Sequence, residues 1–289
     1  MKDTHNPKAE QAHRRISLIL LTGLLFLRLP MLAGVTYLSK TPPEWLFPIF
    51  EVTTYLLTAL LLWWERDRLS YFHIDKLALT IIILFKPIAT VMLAIGGSDG
   101  NVLAFPKMPS LAIWAIAVAL AIAFKASRLK LPVIRAADIK WFGAGAFAGM
   151  VLAILLAYPS SMQIDRSDLN ARPELLSTFF MVMWNFVYQL GYAAVTEEPL
   201  FRGFLWGHLR GFGWKEIWIW LFQAGLFMLS HIYYLNKAPI SFWLIVPMGA
   251  LVVGFMAWRS RSIATSMATH GAVNALGYAA GYIVAFYRF

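Results

Sequence analysis

The chain contains no cysteine, which excludes disulfides, thiolate metal sites and a cysteine nucleophile. Charge is also scarce. Only 14% of the 289 residues are Asp, Glu, Lys or Arg, against about 25% in an ordinary soluble domain, so a soluble core of this size would lack cover. Low-complexity linkers and internal repeats are missing, which removes any reason to divide the chain into several domains. No stretch alternates apolar and polar residues as a barrel strand does. A chain that crosses a bilayer without such strands must close its backbone hydrogen bonds inside helices.

What is present is apolar sequence, 60% of the chain. It falls into runs at about 16–38, 44–64, 77–95, 110–125, 141–158, 175–196, 214–235, 240–258 and 262–287. Runs of roughly 20 apolar residues are long enough to span a membrane; the fourth is short and is expected to be tilted, extended or partly interfacial. The predicted fold is all-α, a polytopic transmembrane helical bundle of about eight or nine spans. Residues 1–15 are expected to form a cytoplasmic tail and 16–289 a single transmembrane domain, with the functional part at about 175–289. The first apolar run follows a polar stretch too long and mixed for a signal peptide and shows no small-residue cleavage site. It reads as a retained first helix.

The net charge of +10 does not point to nucleic acid, because Lys and Arg sit mainly in short loops between the runs. With the N-terminus inside, 17 of the 25 Lys and Arg fall on the inner side and 6 on the outer, in keeping with the positive-inside rule. Lys2, Arg66, Arg128, Lys130, Arg202 and Arg210 belong to the inner set, Lys40, Lys107 and Lys237 to the outer. Trp45, Trp63, Trp64, Trp141, Trp214 and Trp258 lie near the ends of runs, as an aromatic belt does. The pattern predicts a multi-pass protein of a bacterial inner membrane with a cytoplasmic N-terminus.

Ionisable groups inside spans are costly and therefore draw attention. Arg28 and Glu51 lie on consecutive runs at similar depth, and are expected to pair as structural glue. Lys86 precedes Pro87, where a kink frees carbonyls for an ammonium. His5, His13, His73 and His208 fall in loops or at interfaces and carry no functional signal. The second half differs. Glu197 and Glu198 are adjacent, and Glu198 and Arg202 are four apart, on one helical face. Two neighbouring carboxylates in a poorly solvated site do not both ionise cheaply unless a cation offsets one of them, and such a pair suits general acid/base chemistry. Phe227 and His231 are four apart, as are His270 and Asn274. Small residues around the last pair (Ala264, Ser266, Ala268, Gly271, Ala272, Ala275, Gly277) allow close helix approach. Polar groups on three helices cost least if they converge on one site.

These three motifs, Glu197-Glu198-x-x-x-Arg202, Phe227-x-x-x-His231 and His270-x-x-x-Asn274, resemble in order those of the CAAX-protease and bacteriocin-processing (CPBP) family of intramembrane endopeptidases, also called type II CAAX prenyl endopeptidases. The Phe201-Arg202-Gly203 continuation is similar as well. The resemblance covers residues 197–274 and implies hydrolysis of a peptide bond within the membrane. By position, Glu197 and His231 would hold and activate water, and His270 and Asn274 would donate to the oxyanion. Glu198 with Arg202 would shape the electrostatics or grip the substrate. The implied partners are the lipid bilayer and a membrane-anchored or prenylated peptide or protein.

A metal mechanism competes, with Zn²⁺ held by Glu197, His231 and His270. No His-Glu-x-x-His motif is present, and the glutamate mechanism without a cofactor is preferred. Two other classes also use buried charge: a proton- or ion-coupled transporter and a non-catalytic scaffold or immunity protein. On the nine-run scheme Glu197 lies near the inner end of its span and His231 toward the outer end of the next. Their depths then differ by roughly 10–20 Å at ~1.5 Å per residue. A sixth span shifted to include 197–204 would remove the mismatch.

Overall fold

Long apolar runs, interrupted by Pro, Gly and charge, become helices joined by short turns. The structure, a computed structural model, describes residues 7–39, 41–97, 100–127, 133–169 and 172–288. Lys2, His5, Lys40, Arg128 and Lys130 lie outside the described residues. Among those described there is no strand. The described residues form nine long helical segments in succession: α1 over 7–38, α2 Leu46–Trp64, α3 Lys76–Ile95, α4 Met108–Ala126, α5 Ala136–Leu155, α6 over 175–211, α7 Glu216–Leu229, α8 Ser241–Ser260 and α9 Ile263–Arg288.

Local chemistry sets several of the ends. The Asp75 carboxylate accepts from Ala78 N at 2.8 Å and starts α3, satisfying one of the free N–H groups of a first turn. Arg135 N donates to Asp138 Oδ2 at 2.7 Å at the start of α5. Pro109 stands in the first turn of α4, where its missing N–H costs nothing. Gly213 turns the chain between α6 and α7 at φ +84°, a conformation that glycine reaches without strain.

Six of these segments are long and apolar enough to cross a membrane by length and composition: 10–38 within α1, and α2, α3, α4, α5 and α8. The fourth run, expected to be short, is a helix of 19 residues. The other three segments differ for identifiable reasons. Segment α6 carries Glu197, Glu198 and Arg202 and is divided by two wide turns. Only 14 residues form α7, about 21 Å at ~1.5 Å per residue. Small residues dominate α9. Large apolar side chains remain exposed on the outer faces, among them Phe26, Phe147, Leu175, Phe180, Trp218 and Trp243, which is the outside of a protein that is solvated by lipid.

The boundaries change in three places. The helix expected to end near 196 runs on to Gly211, so 197–204 are included in it. The seventh helix stops at Leu229, and 230–233 form a turn that carries His231. The first helix begins at Pro7, within the expected tail. The depth mismatch between Glu197 and His231 is therefore gone: each lies about 14–15 residues, or ~20 Å, from the turn that joins α6 to α7.

The α9 helix is enclosed by α5, α6 and α8. A Cβ at Gly149 would collide with the Thr269 carbonyl and lie 2.9 Å from the Ala272 Cβ, and one at Gly145 would lie 3.0 Å from Thr269 Oγ1. Close approach of α5 to α9 thus depends on small residues on both helices. Gly191 likewise leaves no room for a side chain between the first wide turn of α6 and the Phe85 carbonyl of α3.

At the end where α6 passes into α7, side chains expected to lie idle form a clasp. Arg210 Nη1 donates to His73 Nε2 at 2.9 Å, and Arg210 Nη2 donates to the Tyr71 carbonyl. Ile263 N donates to His73 O at 2.9 Å, while Arg261 Nη1 and Trp206 Nε1 both reach the Glu216 carboxylate, at 3.3 and 2.5 Å. Burial first, then Arg210 and Arg261, pushes the His73 imidazole down to about 3. His208 is buried against Ser17 Oγ at 2.9 Å. His13 stacks on Trp64 and reaches Glu65 at 3.2 Å. These histidines are structural fastenings between the loops and helices.

Candidate active site

Proline writes the local geometry of the site. Pro199 cannot donate to the turn before it, and the chain from Pro199 to Leu205 relaxes into a wide, π-type turn. A second such turn, Leu190–Ala194, precedes the single α-turn Val195–Glu198. Thr196 Oγ1 donates back to the carbonyls of Tyr192 and Ala193, at 3.1 and 2.8 Å. In α1, Pro30 lies in a third wide turn, Leu27–Gly34, which carries Arg28. Wide turns of this kind re-aim side chains and recur at functional sites.

Five of the six residues singled out in the sequence form one buried cluster. Glu198 and Arg202 are fully buried; Arg202 Nη1 donates to Glu198 Oε1 at 3.2 Å and Nη2 to the Ala250 carbonyl of α8 at 3.3 Å. The same Glu198 oxygen accepts from His270 Nδ1 at 2.8 Å. A carboxylate on Nδ1 fixes the ring and turns Nε2 to the reacting side. His270 Nε2 then lies 3.7 Å from Glu197 Oε2. On the other side His231 Nε2 lies 3.9 Å from Glu197 Oε1.

The His231 ring is fixed by its own motif. Its Nδ1 donates to the Phe227 carbonyl one turn back at 2.9 Å, and Ser230 Oγ donates to the same carbonyl at 2.7 Å. The Phe227 ring has a further use, lying 4.4 Å from the Arg202 guanidinium carbon, a cation–π contact. Tyr234 stacks on His231 with 5.9 Å between centroids.

Asn274 is not brought into the cluster. It is exposed on α9, one turn beyond His270, and its amide donates to Gln189 Oε1 at 3.2 Å.

Two buried ion pairs correct the expected pairing. Arg28 does not pair with Glu51. Its Nη2 lies 2.5 Å from Glu197 Oε1 and 3.1 Å from His231 Nε2. Glu51 instead pairs with Lys86 across α2 and α3, and Lys86 Nζ also reaches the Tyr192 carbonyl at 3.5 Å. The Lys86 ammonium thus turns to a carboxylate and to the wide turn of α6, not to carbonyls freed within its own helix. Arg202, counted above as an inner-loop charge, is a buried member of the site.

Arg28 was the member hidden in the sequence. One signal for it was legible: Glu197, Glu198 and Arg202 sum to one excess negative charge, so a buried site needs one more cation. Each carboxylate has its own guanidinium, and the four charges cancel. The Glu197 Oε2 and Glu198 Oε2 atoms are buried without a hydrogen-bond partner. Glu197 Oε2 lies beside the fixed His270 imidazole, and a buried carboxylate oxygen without a partner is a place where a polar reactant is stabilised.

Among the described residues no group of three or more His, Asp or Glu side chains is spaced to hold a metal ion. Glu197, His231 and His270 would supply the donor atoms, and the Arg28 guanidinium already stands between two of them. A fixed cation there disfavours a second one by direct repulsion, so these residues in this arrangement do not fit Zn²⁺.

The fold and the cluster define a class, a helical membrane protein with a buried glutamate–histidine–arginine centre. Residues 179–276 match the model of the Rce1-like family, the type II CAAX prenyl endopeptidases. The matched segment holds all three motifs, and the kind of activity it supports is that of a CAAX intramembrane protease. Among curated proteins and among solved structures no match was found. With its long apolar helices and this segment, the chain is an integral membrane protein.

Proposed function

We propose that the protein is an intramembrane endopeptidase that hydrolyses a peptide bond in a membrane-anchored or prenylated peptide or protein. Glu197 is the general base. Water, bound at its carboxylate, loses a proton to Glu197 as its oxygen attacks the carbonyl carbon. The proton passes to the amide nitrogen as the C–N bond breaks. His231 and His270 flank the carboxylate, one at each oxygen. Glu198 and Arg202 hold His270 in place. The single observation that carries this reading is the Glu197 carboxylate with both histidines within 4 Å and an open, buried oxygen.

With its proton on Nδ1 toward Glu198, neutral His270 presents a lone pair at Nε2, so it serves the expected His/Asn oxyanion hole only once it has taken up a proton. Asn274 can join it only where substrate displaces Gln189. Neither a serine nor a cysteine nucleophile is needed. The position of Arg28 supports the glutamate mechanism over the zinc one; loss of activity on chelation, restored by Zn²⁺, would reverse that choice. We also place the N-terminus in the cytoplasm of a bacterial inner membrane with nine crossings, from the distribution of Lys and Arg.

In purified protein, Glu197→Ala and His231→Ala should abolish peptide cleavage while insertion and fold persist. Wild-type cleavage by both would sink the assignment. Proteomics comparing a wild-type strain with a Glu197→Ala strain would identify substrates as membrane proteins with uncleaved ends. Ion flux through proteoliposomes that cleave no peptide would favour the transporter instead.

A further inference from the structure

We propose that Arg28, on the first helix and outside the family-matched segment, is a positioning residue of the active site that assigns the attacking water to one oxygen of Glu197. The inference rests on the endopeptidase reading above. Arg28 comes from a wide turn that aims its side chain across the bundle, and it is 5% exposed. Its Nη2 lies within hydrogen-bond reach of both Glu197 Oε1 and His231 Nε2, two atoms that are 3.9 Å apart. A water held jointly by those atoms would need the place where the guanidinium nitrogen stands.

A guanidinium only donates. It therefore meets the lone pair of His231 Nε2, and the ring proton sits on Nδ1, against the Phe227 carbonyl. His231 is thus engaged on both nitrogens. The free side is the opposite one: Glu197 Oε2 has no partner and faces His270 Nε2 at 3.7 Å. A water there touches the base and an imidazole whose other nitrogen is tied to Glu198. The motif roles are redistributed as a result. His270 shares the water with Glu197, and His231 acts through Arg28 by holding it on Glu197 Oε1.

The test combines a stability cycle with kinetics in the full-length protein. Thermal melting is measured for Arg28→Gln, Glu197→Gln and the double variant, and cleavage of an internally quenched peptide bearing an S-farnesyl cysteine is followed in proteoliposomes. Each single variant should melt lower, since each leaves one buried charge unpaired. The double variant should melt well above the sum of the two losses. Arg28→Gln should lower kcat by about 10–100-fold with KM little changed, and Arg28→Lys should recover part of that loss. If Arg28→Gln does not fold, Arg28→Lys and the double variant carry the test. Additive melting shifts, or wild-type kcat in a folded Arg28 variant, would overturn the proposal. A wild-type protein that cleaves no peptide would defeat the endopeptidase reading, while the melting cycle would still report whether Arg28 and Glu197 pair.

Discussion

Substituting Glu198 by Gln separates gripping substrate, one of the roles the sequence leaves open, from holding the His270 imidazole, the role its hydrogen bond to Nδ1 points to. The carboxylate is wholly buried, and one oxygen receives both His270 Nδ1 at 2.8 Å and Arg202 Nη1 at 3.2 Å. Gln keeps the volume and one acceptor, but the bonds it accepts are no longer charge-assisted. Charge-assisted hydrogen bonds contribute about 1.5–3 kcal/mol and neutral ones about 0.5–1.5 kcal/mol. The loss at His270 is therefore ~1–2 kcal/mol, or about 5–30-fold in rate. Arg202 also loses its partner, and breaking a buried pair costs roughly 3–5 kcal/mol of stability. Melting should fall accordingly, unless Ala250 O and the Phe227 ring retain part of the cation's interaction. The assay is single-turnover cleavage of the quenched prenyl-peptide in proteoliposomes, with melting followed on the same preparation. A fall in kcat with KM unchanged is expected. A folded variant with unchanged kcat and a raised KM would refute the reasoning and show that Glu198 grips substrate.

Other outcomes follow from other parts of the structure. Lys86→Met leaves Glu51 buried without its cation and should destabilise by about 3–5 kcal/mol; adding Glu51→Leu should restore much of the melting temperature, and no recovery would dissociate the pair. Gly149→Ala forces a methyl against Ala272 and the Thr269 carbonyl. It should cost about 1–3 kcal/mol and reduce turnover by shifting His270 on α9, whereas a fully active, equally stable variant would contradict the close packing. His73 is held neutral, its folded value near 3 lying below the ordinary ~6.5 of a free histidine. The unfolded chain therefore binds the extra proton between those values. Its contribution is complete above pH ~6.5 and is lost as pH falls toward 3, at up to ~1.4 kcal/mol per pH unit. Melting curves of His73→Asn should be flatter over that range than those of the wild type, and equal slopes would count against this origin.

Much of the fold was legible because lipid makes apolar run length a direct measure of helix length. The helical class and the starts of most helices follow from that. The end of α6 was legible in part: the depth mismatch called for a span that includes 197–204, but nothing in the sequence marked its continuation to Gly211. Glu197, Glu198 and Arg202 read as the polar edge of a span, whereas their charges cancel inside the bundle and the helix continues to Gly211. The α7 helix was overextended because Ile232, Tyr233 and Leu235 look apolar enough to continue it, while the backbone turns at Ser230–Tyr233. Within the site, four-residue spacings brought forward Glu198–Arg202 and Phe227–His231, since local periodicity fixes those contacts. Arg28 could not be found that way. Its partners are 169 and 203 positions away, and a nearby glutamate at similar depth offered a plausible pair. Only packing of α1 against the Pro199–Leu205 turn and the reach of Lys86 from α3 to Glu51 on α2 decide between the two.

The most direct measurement of the central claim is cleavage of the quenched prenyl-peptide by purified wild-type protein and by Glu197→Gln in identical proteoliposomes. Gln preserves shape and removes the base, and loss of a general base costs about 10²–10⁴-fold. The account predicts turnover by the wild type and at least a hundredfold loss in a Glu197→Gln protein that remains folded. Equal turnover by the two proteins would contradict it.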